Sequence, residues 1–249
     1  MFKDRMMAYY LKILENEKSF SRSELMETMK NDGKNISEAT FKVELQKLLK
    51  EGSIIRVGRN AYCVAKEGVR VYNYAYSDDA KNIAKILKEK FPLLNFTIMD
   101  FVQLNEFVNH QLAHNVIFVS VEADLGDFVF DVLKEAYPGK VLINPTPEIY
   151  HQYWSDNMIV LGKLTTEAPK GQKASWHTRL EKMLVDIMAE PLLLASISRA
   201  EYPHIYEGAF DRYIVDENGL FRYASRRKVT KKIKELIRKE TDIVLRTKE

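Results

Sequence analysis

Five histidines stand at His110, His114, His151, His177 and His204. His110 and His114 are four apart and would share one helix face, the spacing of a metal-binding pair. No glutamate follows His110 as an H-E-x-x-H pattern requires, and Asn115 opens a strand-like run that would end the helix before His114. A polar helix end is the plainer reading. Glu122, Asp124 and Asp127 follow the apolar run VIFVSV, where metal-binding acids sit in some nucleotidyltransferases and nucleases. Yet no Gly-Ser loop precedes an Asp-x-Asp pair, and a helix dipole alone favours acids in a first turn. Cys63 is the single cysteine, so neither an intrachain disulfide nor a Cys-based zinc site can form. It sits between Tyr62 and Val64 and reads as a packed side chain. Tyr72, Tyr74 and Tyr76 alternate and could stack single-stranded bases, but a strand with one tyrosine-rich face, shielded by its neighbours, is the plainer reading. Phosphate-loop, dinucleotide and nucleophile-elbow motifs are absent. The sequence predicts no catalytic residue, no metal and no cofactor.

What remains is charge. The 249 residues carry a net +3, unevenly spread. Residues 1–70 carry +4, residues 71–221 carry −8, and residues 222–249 carry +7. Two basic ends therefore flank an acidic middle, and basic segments point to an anionic partner. A composition 46% hydrophobic and 29% charged suits a globular chain with a real core and excludes low complexity. No run of about 18 apolar residues predicts a membrane span. The opening residues MFKDRMMAYY lack a secretory pattern. Together with cysteine usage, these absences predict a cytoplasmic protein without membrane contact.

The basic N-terminal segment reads as three helices and a hairpin. Met6, Tyr9, Tyr10, Ile13 and Leu14 recur at helical spacing over Phe2–Leu14. Ser21 or Ser23 can cap a second, short helix through Leu25, Met26 and Met29, and Gly33 turns the chain. Ser37 caps a third helix whose buried stripe is Phe41, Leu45, Leu48 and Leu49, with Gly52 at its end. Ile54, Ile55 and Val57, then Tyr62 and Val64, flank Gly58-Arg59-Asn60, a hairpin tip. This order predicts a winged helix-turn-helix over residues 1–70. Its third helix would enter the DNA major groove and its hairpin would reach the flanking backbone or minor groove. The stripe leaves Glu38, Thr40, Lys42, Val43, Gln46 and Lys47 outside. Ser37, Thr40, Lys42, Gln46 and Lys47 would face bases or phosphates, and Arg56, Arg59 and Asn60 would hold the backbone. Glu38 and Glu44 speak against it, because carboxylates on a reading helix repel phosphate.

A linking strand over 67–77 leads to a second domain, residues 71–249, that mixes helices and strands. Ser77 caps a helix, Asn95–Met99 and Val116–Val121 are strands, and Asp100 caps a helix between them. Asp124–Tyr137 is an amphipathic helix with Phe128, Val129, Val132 and Leu133 inward. Val141–Ile143 and Met158–Leu164 are further strands, separated by a helix containing Ile149, Tyr150, Tyr153 and Trp154. Thr178-x-x-Glu181 fits a capping box before an apolar helical run. The chain ends in a basic helix, RRKVTKKIKELIRK, whose stripe of Val229, Ile233, Leu236 and Ile237 would dock while its cations stay outside. Arg226, Arg227, Lys228, Lys231, Lys232 and Lys234 would then add electrostatic attraction for a polyanion. The expected class is α+β: a winged helix, a mixed α/β domain and a helical C-terminal segment.

The wing pattern at Gly58, Arg59 and Tyr62, with the helix signature at Glu181, Lys182, Leu184 and Asp186, resembles the AbiEi-type antitoxins of type IV toxin–antitoxin systems. The resemblance implies a transcriptional autoregulator that binds promoter repeats in double-stranded DNA. It also implies that the second domain counters a nucleotidyltransferase toxin, with Glu181 and Asp186 in packing or capping roles. Residues 95–165 depart from the family's patterns, which weakens the antitoxin part first. Two other readings stay open. One is a nucleotidyltransferase- or nuclease-like enzyme targeted by its winged helix, with Asp124 and Asp127 as metal ligands. The other is a winged-helix protein–protein adaptor.

Overall fold

A computed structural model describes residues 11, 13–14, 19–30, 36–51, 53–58, 60–64, 71–171 and 173–245. Most of the expected first helix, including Met6, Tyr9 and Tyr10, lies outside these residues, as do Gly33, Gly52, Arg59 and residues 67–70 of the expected linking strand. The fold is a mixed α+β arrangement with two sheets. The chain divides into two compact units. One comprises Met1–Val71, Phe210–Gly219 and Val244–Glu249; the other comprises Tyr72–Ala209 and Leu220–Ile243. The short piece around Ile214 thus groups with the N-terminal unit, which a division into residues 1–70 and 71–249 does not anticipate.

In the N-terminal unit, helix α1 (Arg22–Lys30) starts from a reciprocal cap. The Ser21 hydroxyl accepts the Glu24 N–H at 3.2 Å, and the Glu24 carboxylate accepts the Ser21 N–H at 2.5 Å. Helix α2 (Glu38–Glu51) is capped by Ser37, whose hydroxyl accepts the Thr40 N–H at 3.2 Å. Strands β1 (Ile54–Gly58) and β2 (Ala61–Val64) pair antiparallel, with an irregularity between Arg56 and Gly58. Phe20 adds two backbone hydrogen bonds to Tyr62, at 2.7 and 2.8 Å. The core of this unit joins Phe20, Leu25, Met29, Phe41, Leu45, Leu48, Ile54 and Tyr62. Leu49, at the margin of the stripe, is half-buried. Ile55 and Cys63 point to the opposite face of the hairpin and pack with Ile214. Cys63 is a buried free thiol.

The C-terminal unit is built on a sheet ordered β3 (Phe96–Asp100), β4 (Val116–Val121), β6 (Met158–Lys163), β5 (Val141–Ile143). β3 runs antiparallel to β4; the other neighbours are parallel. Side chains alternate between the faces. Ile98, Ile117, Val119, Ile159 and Leu161 meet helix α3 (Asp78–Lys90) and helix α4 (Gly126–Ala136) through Ile83, Leu87, Val129 and Leu133. Phe118, Ser120, Val160 and Gly162 share a cavity wall with Lys182 and Asp186 of helix α6 (Leu180–Ala189). Helix α5 (Pro147–Gln152) precedes β6, and helices α7 (Pro191–Ser196), α8 (Glu201–Arg212), α9 (Glu217–Arg226) and α10 (Thr230–Glu240) follow α6. Among the described residues no helix is long and apolar enough to cross a membrane.

Several local expectations change. Phe128 is 63% exposed, because α4 turns Val129 and Leu133 to the sheet instead. The helix expected to contain Ile149, Tyr150, Tyr153 and Trp154 ends at Gln152, which leaves Tyr153 and Trp154 beyond it. Asp100 starts a 3-10 turn, Phe101–Glu106, rather than an α-helix. Its buried carboxylate accepts the Ser77 N–H at 2.8 Å and the Ser77 hydroxyl at 2.9 Å. Thr178 is no cap: its hydroxyl donates to the Ile98 carbonyl at 2.7 Å, and α6 begins two residues later. Residues 71–77 form no strand, although Tyr76 is buried and Tyr72 and Tyr74 are half-buried. The basic run breaks between α9 and α10, with Lys228 at φ 59°.

Candidate nucleic-acid interface

The core stripe of α2 fixes which side chains face out. Phe41, Leu45 and Leu48 are buried, so a helix of 3.6 residues per turn presents the others. Ser37, Glu38, Thr40, Lys42, Val43, Gln46 and Lys47 are all exposed, and Glu44 is half-buried. The Ser37 and Thr40 hydroxyls lie 2.9 Å apart at the N-terminus of the helix. Arg56 and Asn60 are exposed on the hairpin. Asn60 adopts the left-handed conformation, φ 57°, which asparagine tolerates in turns. Arg59 lies outside the described residues.

One residue ties these pieces together, and sequence reasoning did not single it out. The Arg22 guanidinium meets the Glu38 carboxylate at 2.6 Å and lies 5.4 Å from the centre of the Phe41 ring. The Arg22 backbone N–H donates to the Asn60 side-chain oxygen at 3.2 Å. Arg22 therefore gives the Glu38 carboxylate a counter-charge and links the hairpin tip to the start of α1. Its position as first residue of a Ser-capped helix is visible in the sequence; its partners are 16 and 38 residues away and are not.

The other sites singled out by sequence are scattered. His110 and His114 face different acids. His110 Nδ1 is 2.7 Å from Glu201, and His114 Nδ1 is 3.8 Å from Asp156. Hydrogen bonds from His110 and from the Asn109 N–H hold the Glu201 carboxyl below the ordinary glutamate range. His177 is packed against Tyr76 and Trp176, and burial, then Lys88 and Lys173, push its imidazole down. Asp124 and Asp127 are exposed at the start of α4. Among the described residues no group of three or more His, Cys, Asp or Glu is placed to hold a metal ion. Burial pushes the Tyr74 phenol up to about 12, with Asp100 adding to the effect. Tyr74 packs edge-on to Tyr76 at the core and Tyr72 packs against Phe107, so the three rings are engaged within the unit and do not form a free stacking platform.

The basic tail is partly consumed by its own unit. Arg227 turns inward, against the expectation that it would stay outside: it donates to Glu190 at 2.6 Å and to Thr165 at 3.1 Å, and lies 3.6 Å from Asp186. Asp186 also accepts from Lys182 at 2.5 Å and from the Tyr223 hydroxyl at 2.9 Å. The reason is that α9 brings Arg227 to carboxylates on α6 and just beyond its end, where a buried charge must be paired. Arg226 and Arg222 engage Glu167. Lys232 donates to the Met188 carbonyl at 3.2 Å, and Lys234 lies 5.5 Å from the Phe221 ring centre. Lys228, Lys231, Arg238 and Lys239 are exposed.

Three comparisons with known proteins bear on the chain. The model of a family described as "Family of unknown function (DUF6577)" matches residues 40–243. No curated protein matches. Among solved structures, the crystal structure of the RV2827C protein from Mycobacterium tuberculosis is 12% identical, covers 96% of this chain and 83% of its own, and has a TM-score of 0.25. A similarity that slight carries no argument.

Proposed function

Starting from a chain that belongs to the family of unknown function DUF6577, we propose that its N-terminal unit is a winged helix-turn-helix that binds double-stranded DNA. In this reading α2 is the reading helix and the β1–β2 hairpin is the wing. The observation that carries it is the position of Arg22, which neutralises the one carboxylate at the head of α2 and fastens the wing tip beside it. Thr40 and Gln46 then face base edges, while Lys42, Lys47, Arg56 and Arg59 face phosphates. The exposed cations of α10 add sequence-independent attraction.

The biological role follows from the family resemblance. The chain acts as an autoregulating antitoxin of AbiEi type, binding its own promoter and countering a nucleotidyltransferase toxin encoded beside it. Gel shifts with the full chain on its promoter test the DNA reading. Arg56→Ala should weaken binding about equally on all sequences and lower the salt slope by about 1, whereas Thr40→Ala or Gln46→Ala should relax sequence preference. Absence of binding, or binding indifferent to salt, overturns the reading. An adjacent reading frame that encodes no nucleotidyltransferase removes the antitoxin part alone.

A further inference from the structure

Beyond β6 the chain turns at Thr165–Ala168, closed by the Ala168 N–H donating to the Thr165 carbonyl at 3.3 Å. Glu167 is the third residue of this turn and adopts φ 63°. That left-handed conformation suits glycine and is unfavourable for a residue with a side chain. Strained residues of this kind gather at ligand clamps and switches.

The Glu167 side chain is engaged by α9. Arg222 and Arg226 stand four apart on that helix, on one face. Both aim at the Glu167 carboxylate. The Arg222 Nε lies 3.4 Å from one oxygen, the Arg226 Nε donates to the other at 3.0 Å, and a second nitrogen of Arg226 meets it too. The arginine side chains are 66% and 55% exposed, so both guanidiniums are open to a ligand from solvent. Among the described residues no other carboxylate pairs with either of them. Two guanidiniums therefore share one carboxylate, and one positive charge is left over. Lys228, exposed in the turn after α9, adds to it. Arg227, between them, is turned inward to Asp186 and Glu190 and takes no part.

A guanidinium fork receives a carboxylate or a phosphate in the same way, through paired N–H donors. A terminal phosphate, or successive phosphates of a nucleic acid, brings more negative charge than one carboxylate and matches the pair better. An exposed ion pair holds only weakly, so such a ligand can displace Glu167.

We propose that Arg222 and Arg226 form a phosphate-binding site that Glu167 masks, the phosphate being that of a nucleic-acid backbone or of a free phosphorylated molecule. All three residues belong to the C-terminal unit, and the site does not rest on the DNA reading of α2. Calorimetric titration of the full chain with inorganic pyrophosphate and with a mixed-sequence DNA duplex, at fixed ionic strength, tests it. Glu167→Gln should tighten binding of at least one probe by roughly threefold or more, because it removes the competing charge. Glu167→Gly should tighten it alike and keep the melting temperature close to that of the natural chain, since glycine's ease in the turn offsets the lost ion pairs. Adding Arg222→Ala and Arg226→Ala should abolish the gain. A gain on pyrophosphate alone assigns a free phosphorylated molecule; a gain on the duplex assigns the nucleic-acid backbone. If Glu167→Gln tightens neither probe, or if the gain survives the loss of both arginines, the proposal fails. The gain is a ratio between variants of the C-terminal unit, so its absence leaves the DNA reading of α2, tested at Arg56, where it stands.

Discussion

The two units use charge in opposite ways. In the N-terminal unit the outward polar residues of α2 stand in solvent, and the ion pair of Arg22 with Glu38 lies at the surface. In the C-terminal unit the charges of α6 are inside. Glu181, Lys182 and Asp186 are all buried, and Lys182, Arg227 and Tyr223 converge on Asp186. Formal charge counted along a sequence is therefore a poor guide to charge available for binding. The +7 of residues 222–249 includes an arginine spent on the buried Asp186 and the half-buried Glu190, while the smaller +4 of residues 1–70 includes exposed cations on α2 and the hairpin.

The sharpest way to break this contrast is to remove the hub of the buried network. Asp186→Ala leaves Lys182 and Arg227 without their shared partner, and breaking a buried pair in this way costs about 3–5 kcal/mol. Chemical denaturation should show that loss. The double variant Lys182→Met/Asp186→Leu should recover part of it, because a well-packed apolar pair can replace a buried ionic one. A loss below about 1 kcal/mol for Asp186→Ala would mean that water reaches the network and that the two units do not differ in this respect.

The surface pair should respond the other way, in binding and not in stability. Arg22→Ala removes an exposed interaction whose contribution to folding is within about 1 kcal/mol. It also leaves Glu38 uncompensated at the head of α2. Affinity for DNA, measured by fluorescence anisotropy, should fall by roughly tenfold, the equivalent of about 1.4 kcal/mol. Adding Glu38→Gln to Arg22→Ala should restore most of it. Without that rescue, the loss belongs to the Arg22 side chain itself and not to an uncompensated Glu38, since Arg22→Ala keeps the backbone N–H that holds Asn60.

What was legible in the sequence followed the same division. The helix–hairpin order of the N-terminal unit could be read from periodicity, because Phe41, Leu45 and Leu48 on one side and Thr40, Lys42 and Lys47 on the other obey a local rule. The strands Val116–Val121 and Val141–Ile143 were legible too, as apolar runs bounded by polar residues. Phe128 was misplaced because a helix start does not reveal which way its first turn faces. Thr178 looked like a cap because the pattern Thr-x-x-Glu is local, whereas its real partner, the Ile98 carbonyl, is 80 residues away. Arg227 was misread for the same reason, since its carboxylates are 37 and 41 positions upstream.

The smallest expected effect lies at an interaction that belongs to neither pattern. Glu201 is buried, while its partner His110 is almost wholly exposed. The hydrogen bonds from His110 and Asn109 lower the Glu201 carboxyl from its ordinary value of 4.5. A folded-state value below the unfolded one means that the unfolded chain binds the proton more readily. The contribution to stability is then complete above pH 4.5 and disappears as the pH falls through the lowered folded value. Because His110 faces solvent, screening keeps the effect below about 1 kcal/mol. Denaturation curves between neutral pH and pH 3 should therefore show a slightly steeper acid loss for the natural chain than for Glu201→Gln, which has no proton to take up. Equal slopes would mean that the pair is as loosely held as the exposed ions of α10. A much larger difference would place it with the Asp186 network, as a second interior charge on which the C-terminal unit depends.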